Sequence, residues 1–367
     1  MEVKKRIEQL KKFRQNRKEG KFNCIPFYYH FPRLSKFVPG LFKGCLYTIL
    51  SATGIGKSKF GRYLNIIIPY EISKKNKNFK FETLYFSLEE SKAEFIDNMI
   101  IFVLDYKFNI SIDRLQLNSM YESILDESII EKIEECQEYV EDIMKHVTVI
   151  DNIDNPTGIY QFCRDKSNEL GKHIYKDEII KGKKTKVYSH YEPYDPDYYV
   201  IAVVDHVSLL SQERDNFANK ILTLPESMSR WTSDYALKQI TKHWGWIVCN
   251  VQQTTMTSDD ATHFKLGKLE PEISDAADNK RILRDSKLII SLFAPDRYKL
   301  KEHGGYDIKI MLDWYRSTKI LKNRYGLSNI AIGMLFNGVK GTFEELPPVE
   351  NVQELYKLYK YIKSVSK

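Results

Sequence analysis

The apolar positions of the chain alternate between short β-branched runs and longer segments with helical spacing. From Phe42 onward this alternation predicts a mainly parallel, twisted α/β sheet with helices on both faces. Strand patterns fall at 46–50, 83–87, 147–151, 200–205, 246–251, 288–293, 308–314, 318–321 and 330–336, and helix patterns at 57–70, 92–104, 128–145, 157–170 and 227–243. Because the last strands are separated only by turns, we expect the C-terminal edge of the sheet to be antiparallel.

Both ends of the chain differ from this central pattern. Val3, Ile7, Leu10 and Phe13 recur at helical spacing among charged residues, so a short basic amphipathic helix is expected before Gly20. A proline-containing segment separates it from the first strand, and the helix can therefore pack on another subunit or fold back on its own core. We divide the chain into a linker helix with an extended segment (1–38), an α/β domain (39–348) and a C-terminal helical tail (349–367).

Residues 172–197 have the pattern of a β-hairpin inserted into the α/β domain. Two alternating runs flank Gly182-Lys183-Lys184, and both are rich in lysine and tyrosine. Basic and aromatic residues together are found on nucleic-acid-binding surfaces. A solvated decoration or a surface for a protein partner is the interpretation that we favour.

The segment from Tyr47 to Ser58 carries the strongest chemical signal. An apolar strand pattern ends in a loop of small residues, and Gly56-Lys57-Ser58 begins a helix, which is the context of a phosphate-binding loop. Lys57 would reach the β- and γ-phosphates of a nucleoside triphosphate, and the Ser58 hydroxyl would bind Mg²⁺. The first glycine of the usual pattern is Ser51 here. The candidate nucleotide-binding residues of the loop are Thr53, Gly54, Ile55, Gly56, Lys57, Ser58 and Lys59.

A Gly-rich turn that binds nothing is the alternative reading of this loop, but the joint occurrence of strand, loop, Lys-Ser and helix favours ATP or another nucleoside triphosphate.

Two carboxylates at strand ends are candidates for the chemistry of hydrolysis. Asp205 ends a nearly continuous apolar strand, so we expect it to bind Mg²⁺ together with Ser58, although an aspartate that caps a turn is the alternative. Glu89 ends the strand pattern that follows the phosphate-loop helix and would orient the attacking water as a base. Glu90 could share that role, and either glutamate could simply begin a helix.

Polar residues at two later strands complete the candidate site. Gln252 ends a strand and could hydrogen-bond the γ-phosphate. Gln253 is adjacent, and the alternative is that either glutamine is simply a loop residue. Lys322 and Arg324 lie two residues apart on a strand that runs into a turn. One interpretation is that both belong to a solvated basic edge strand. The other is that they reach the triphosphate of a neighbouring subunit, with Arg324 as an arginine finger.

Taken in order, these motifs resemble the RecA-like motor domain of DnaB-type hexameric replicative helicases, including the helicase half of phage primase-helicases. The resemblance rests on the phosphate loop, Ser87-Leu-Glu89, Asp205-His-Val-Ser, Gln252, Lys322-Asn-Arg324 and Phe336-Asn-Gly338, over roughly residues 39–346. It implies that Glu89 is the catalytic base, that Gln252 senses phosphate, and that Lys322 and Arg324 act on a neighbour's site.

The resemblance also implies a hexameric ring on single-stranded DNA, movement in the 5′-to-3′ direction, a primase or loader protein as partner, and a cytoplasmic location (the host cytoplasm if the chain is phage-encoded).

The segment expected to contact DNA departs from the family pattern. Where the family has Leu-Arg-x-Ser-Gly, this chain reads Ala276-Ala-Asp-Asn-Lys280, so the arginine is missing. The preceding polar stretch offers other cations to phosphate. The candidate DNA-binding residues are Lys265, Lys268, Lys280 and Arg281.

The amino-acid composition excludes few classes of protein. A hydrophobic content of 43% with 29% charged residues is that of a globular protein, and the net charge of +7 permits a polyanionic partner without requiring one. The five cysteines lack the spacing of a zinc site or a disulfide framework, and the apolar runs are too short to cross a membrane.

Three functions are compatible with these observations. A ring helicase is the leading hypothesis. A RecA-like DNA-dependent ATPase that acts as a recombinase, repair factor or loader is the second, and an ATP-bound scaffold that hydrolyses little is the third.

Overall fold

The computed structural model describes residues 2–120, 124–180, 182–215, 219–254, 269–276 and 280–365. The first eight helices are α1 (Glu2–Lys18), α2 (Lys57–Arg62), α3 (Ile68–Lys75), α4 (Lys92–Phe108), α5 (Arg114–Leu117), α6 (Glu127–Met144), α7 (Pro156–Leu170) and α8 (Leu224–Ser229). π-Helical turns at Tyr63–Ile67 and Arg230–Thr241 join α2 to α3 and extend α8. Further helices span Lys280–Asp285, Ile308–Met311 and Val352–Val365, and short 3₁₀ turns span Leu34–Lys36, Val207–Leu209, Ile273–Asp275, Pro295–Tyr298 and Leu312–Trp314.

The strands, in chain order, are β1 (Ile25–Pro26), β2 (Gly40–Leu41), β3 (Leu46–Ser51), β4 (Lys80–Ser87), β5 (Val147–Ile150), β6 (Gly171–Ile180), β7 (Lys183–Pro193), β8 (Tyr198–Asp205), β9 (Arg214–Asp215), β10 (Lys220–Ile221), β11 (Ile247–Gln253), β12 (Leu288–Phe293), β13 (Glu302–His303), β14 (Tyr306–Asp307), β15 (Tyr315–Asn323), β16 (Ile330–Asn337) and β17 (Thr342–Glu345).

One nine-stranded sheet, in the order β17-β16-β15-β12-β3-β11-β8-β4-β5, forms the centre of the molecule. The six strands from β12 to β5 pair in parallel, and β15, β16 and β17 add an antiparallel edge. Buried side chains alternate between the two faces, since Tyr47 and Ile49 of β3 pack in one core and Leu46 in the other. The α/β class, the parallel sheet and the antiparallel C-terminal edge predicted from the sequence are confirmed.

One predicted strand is wrong. Residues 308–314 form a helical turn, Ile308–Met311, followed by the 3₁₀ turn. Asp307 caps this helix by accepting a hydrogen bond from the backbone N–H of Lys309 at 3.0 Å. Ile308 and Met311 are both buried, and their spacing of three residues puts them on one helical face. The apolar run was therefore too short to distinguish a strand from a buried helical turn.

The inserted segment contains a long antiparallel hairpin, β6 and β7, with a bulge after Ile174. Its base is fixed to the domain, because His173 Nε2 lies 2.8 Å from the hydroxyl of Ser167 and Tyr191 donates to the Ser167 carbonyl. Towards its tip the side chains are mostly exposed, including Ile179 at 81%.

Helix α1 keeps its apolar stripe in solvent. Val3, Ile7, Leu10 and Phe13 are all exposed, so they do not pack in the core of this chain. The helix is attached through Asn23, which donates a hydrogen bond to the Phe13 carbonyl at 2.9 Å. None of the helices in the described ranges is long and apolar enough to cross a membrane.

Candidate nucleotide site

The loop between β3 and α2 has the backbone conformation that its sequence predicts. Gly54 and Gly56 adopt left-handed φ angles of +72° and +106°, which residues with a side chain rarely adopt. A Cβ on Gly56 would also lie only 3.0 Å from the ring of Phe336. Ser51, which replaces the first glycine of the usual pattern, is the last residue of β3 and pairs with Gln253. Its position in a regular strand does not require glycine.

The strand register brings the other candidate residues to the same edge of the sheet. Asp205 pairs with Val251 on one side and with Ser87 on the other, and Gln253 pairs with Ser51. The carboxyl ends of these parallel strands therefore meet beside the loop, where an open α/β sheet places its binding site.

Asp205 is buried and close to the first turn of α2. Its Oδ1 accepts a hydrogen bond from the Ser58 hydroxyl at 3.0 Å, and its Oδ2 accepts one from the Tyr85 hydroxyl at 2.5 Å. Burial raises the pKa of Asp205, whereas the hydrogen bond from Tyr85 and the charge of nearby Arg62 oppose that rise. A hydroxyl and a carboxylate so close together are the oxygen ligands that Mg²⁺ prefers, so the donor set fits this ion.

The two adjacent glutamates have different surroundings. Glu90 forms an ion pair with buried Arg62 and accepts a hydrogen bond from Asn98. The Glu89 side chain is 52% exposed, and its Oε2 lies 3.7 Å from His206 Nε2. Because Glu90 already has a structural role, Glu89 is the carboxylate available to a water molecule.

His206 stands between Glu89 and the phosphate loop. Burial and the positive charge of Lys57 lower the pKa of His206 to about 4. The imidazole is therefore neutral at pH 7, and its contact with Glu89 is polar and not an ion pair. Lys57 itself is buried at the start of α2.

The two glutamines at the end of β11 differ in their contacts. Gln253 donates a hydrogen bond to the Thr53 hydroxyl in the loop. Gln252 is fully buried, its Nε2 lies 3.4 Å from the Ser208 hydroxyl, and its Oε1 accepts no hydrogen bond from the described residues. Gln253 thus contacts the loop directly, whereas the Oε1 atom of Gln252 has no hydrogen-bond partner among the residues that the structure describes.

Lys322 and Arg324 are not near the loop of their own chain. Arg316, at the start of β15, donates to the loop carbonyl of Ile55, whereas Lys322 lies six residues further along the strand. At 3.2–3.4 Å per residue the two positions are roughly 20 Å apart. Lys322 Nζ and Arg324 Nη2 instead contact the backbone carbonyl of Arg284, at 3.1 and 3.4 Å.

Two arginines that contact the loop were not among the candidate residues predicted from the sequence. Arg297 donates to the carbonyls of Thr53 and Gly54, and Arg316 is buried and donates to the carbonyl of Ile55. The side chain of Lys59, a candidate nucleotide-binding residue, donates to the Gly338 carbonyl. No local sequence signal marks Arg297 or Arg316, because each contact joins residues more than 240 positions apart in the chain.

The candidate DNA-binding residues are only partly described. Lys265 and Lys268 lie outside the described residues, Lys280 begins a helix, and Arg281 is exposed on that helix. Ala276, where the family motif would begin, is buried.

The described segment 269–276 is attached to the sheet through Glu270. Its carboxylate accepts hydrogen bonds from Ser317 at 2.9 Å and Lys319 at 3.1 Å, and His303 Nε2 lies 3.0 Å away. Burial raises the pKa of Glu270, but the hydrogen bonds from His303 and Ser317 outweigh it and lower the pKa to about 2. Glu270 is therefore fixed to the antiparallel edge of the sheet by charged and polar contacts.

Comparison with solved structures identifies proteins of the same fold. The ATPase domain of G40P superposes with a TM-score of 0.64 at 16% identity, covering 93% of this chain and 99% of that one. A structure described as a DnaB-like replicative helicase and its interactions with primase gives a TM-score of 0.64 at 15% identity, covering 93% of this chain and 66% of that one. No protein-family model and no curated protein matches the sequence. At these identities the similarity shows the fold, which is the RecA-like fold predicted from the motifs.

Proposed function

We propose that this protein is a ring-forming helicase that hydrolyses ATP or another nucleoside triphosphate at subunit interfaces and moves along single-stranded DNA. Lys57 and Ser58 would bind the phosphates and Mg²⁺ together with Asp205, and Glu89 would orient the attacking water. Lys322 and Arg324 would come from the next subunit. Movement in the 5′-to-3′ direction, a cytoplasmic location and a primase or loader as partner belong to the same proposal.

The separation within β15 carries this proposal. Each chain has a phosphate loop with its carboxylates at one end of the sheet and a cation pair about 20 Å away at the other end. Neither Lys322 nor Arg324 can serve the loop of its own chain across that distance. If they act on a triphosphate, a second subunit must supply it, and such a head-to-tail contact closes into a ring when the rotation allows it.

Helix α1 supports assembly by a second route. Its four exposed apolar side chains lie along one helical face, and an exposed apolar surface of this kind is typical of an interaction site. A groove on the adjacent subunit would cover this face, so the helix would join neighbours independently of nucleotide. A hexamer is the assembly size that we propose.

Hydrolysis would move DNA through the segments that follow β8 and β11 in the chain. Both segments begin at the edge that holds Asp205 and Gln252, so phosphate contacts formed and lost there would be transmitted to them. Lys265, Lys268, Lys280 and Arg281 would bind the DNA backbone, and binding would therefore weaken steeply with salt.

Unwinding of a forked DNA duplex tests the proposal most directly. We expect the wild-type chain with Mg²⁺ and ATP to separate the strands, and single-stranded DNA to stimulate its hydrolysis. The Lys57→Ala variant is the matched control and should do neither. Hydrolysis without strand separation would reject the helicase assignment.

A DNA-dependent ATPase that acts as a recombinase, repair factor or loader is the second candidate. The observation that favours it is the buried Ala276 at the start of a segment without the arginine of the family motif. Electron microscopy with ATP and single-stranded DNA separates the two, because an open filament would favour the recombinase and a closed ring the helicase.

A further inference from the structure

Two guanidinium groups lie against the outer side of the phosphate loop. Arg297 donates from Nη1 to the Thr53 carbonyl at 2.6 Å and from Nη2 to the Gly54 carbonyl at 2.7 Å. Arg316 donates from Nε to the Ile55 carbonyl at 2.8 Å. Three successive peptide carbonyls therefore accept hydrogen bonds from two positively charged side chains.

The geometry of the peptide bond gives this arrangement a consequence. In a trans peptide the carbonyl of one residue and the N–H of the next point in opposite directions within one plane. When the carbonyls of residues 53, 54 and 55 are held towards the arginines, the N–H groups of Gly54, Ile55 and Gly56 face the other side of the loop. That side is where a row of backbone N–H groups can bind an anionic phosphate.

Arg316 is itself held firmly. It is 1% exposed, its Nη1 donates to the carbonyls of Asp313 and Tyr315, and its Nη2 donates to Asp313 Oδ1 at 2.8 Å. Its guanidinium lies 4.3 Å from the ring centre of Phe336, the same ring that packs against Gly56. Burial lowers the pKa of Arg316, but a guanidinium stays charged in a protein.

Arg297 is the more informative of the two because it is exposed. Its position in the 3₁₀ turn after β12 leaves its side chain free to extend into water, so core packing does not explain its contacts. It instead forms two short hydrogen bonds to the loop, and a Cβ on Gly54 would lie only 2.7 Å from Nη2. The end of this side chain could shift to admit a Cβ, so the left-handed φ remains the reason for glycine at position 54.

We propose that Arg297 and Arg316 are positioning residues that orient the phosphate loop, so that the N–H groups of Gly54, Ile55 and Gly56 converge on the phosphates of the bound nucleotide. This inference rests on the nucleotide site of the proposed function. The two arginines act on the loop backbone and not on the reacting atoms. Their effect is therefore expected in nucleotide affinity more than in the rate of the chemical step.

Calorimetric titration of the full chain with ATP and Mg²⁺ tests this inference. We expect Arg297→Gln to raise the Kd for ATP at least about tenfold, because two charge-assisted hydrogen bonds to the loop are lost. Arg297→Lys should recover only part of the affinity, since an ammonium cannot reproduce the forked contact. Arg316→Lys should also weaken binding. Lys301→Gln is the matched control, because Lys301 is exposed four residues after Arg297 and outside the nucleotide site.

Steady-state kinetics and thermal unfolding separate positioning from a purely structural role. For Arg297→Gln we expect a higher KM with kcat largely retained and an unfolding midpoint equal to that of Lys301→Gln. Wild-type affinity in Arg297→Gln, or a loss of affinity that simply follows unfolding, would overturn the inference. If the wild type binds no nucleotide, the proposed function fails as well. If it binds ATP but does not unwind DNA, only the proposed function fails, because the Kd comparison still decides on the arginines.

Discussion

Mixing two inactive variants gives the sharpest test of where the catalytic cations act. Arg324→Ala retains the phosphate loop but lacks the proposed arginine finger. Lys57→Ala retains the proposed finger but lacks the lysine that would bind the phosphates. Under the proposed function the finger is Arg324, which lies about 20 Å from the loop of its own chain, so a complete site would form only where two chains meet. Arg324→Ala alone should hydrolyse ATP at a rate reduced by roughly 10³-fold or more, the usual effect of losing an arginine finger. Lys57→Ala alone should hydrolyse little ATP because it lacks the lysine that binds the phosphates.

The expected recovery follows from the composition of the mixed ring. At equal amounts, an intact loop meets an intact finger at about one quarter of the head-to-tail interfaces, whatever the number of subunits. Denaturing and refolding the two variants together should therefore restore about one quarter of the wild-type hydrolysis rate per subunit, in a phosphate-release assay. The same variants refolded separately and measured side by side are the control. No recovery on mixing, or normal hydrolysis by Arg324→Ala alone, would refute the shared site.

Further predictions concern single positions around the loop. Glu89→Gln should lower kcat by roughly 10²–10⁴-fold with ATP affinity retained. Glu90→Gln should mainly lower the free energy of unfolding, by about 2 kcal/mol, because it removes the charged partner of buried Arg62. Equal effects of the two substitutions on kcat would contradict their separate roles. The pKa of His206 is about 6.5 in the unfolded state and about 4 in the folded state, so the unfolded state takes up a proton first as the pH falls. The free energy of unfolding of the wild type should therefore fall by about 2 kcal/mol more than that of His206→Gln between pH 7 and pH 4.5. Urea unfolding at both pH values measures this, and parallel losses would disprove it. Gly54→Ala should weaken ATP binding because its φ of +72° strains any side chain; unchanged affinity by calorimetry would count against the loop geometry.

Much of the fold was predictable because its signals are local. The buried strands of the parallel sheet read as apolar runs, and Asp205 stands out as a charge at the end of such a run. The run at 308–314 was misread because a buried helical turn and a short strand share the same apolar composition, and only the cap at Asp307 and the packing of Ile308 decide between them.

The parts of the site that could not be predicted depend on contacts across the sheet. The sequence does not distinguish Glu89 from Glu90, and only the ion pair between Arg62 and Glu90 in the structure separates their roles. Arg297 and Arg316 reach the loop only because β12 and β15 lie on the same side of β3 in the sheet order. Single-sequence patterns carry no information on that order, so these arginines have no counterpart among the predicted residues.

The placement of the cation pair at the far end of β15 has a consequence for how the protein would behave at low concentration. A lone copy would hold nucleotide but lack the means to cleave it, so turnover per molecule would depend on how many copies are present. Dilution below the assembly threshold would then stop hydrolysis without any inhibitor, so the abundance of the protein would limit hydrolysis in addition to the availability of single-stranded DNA.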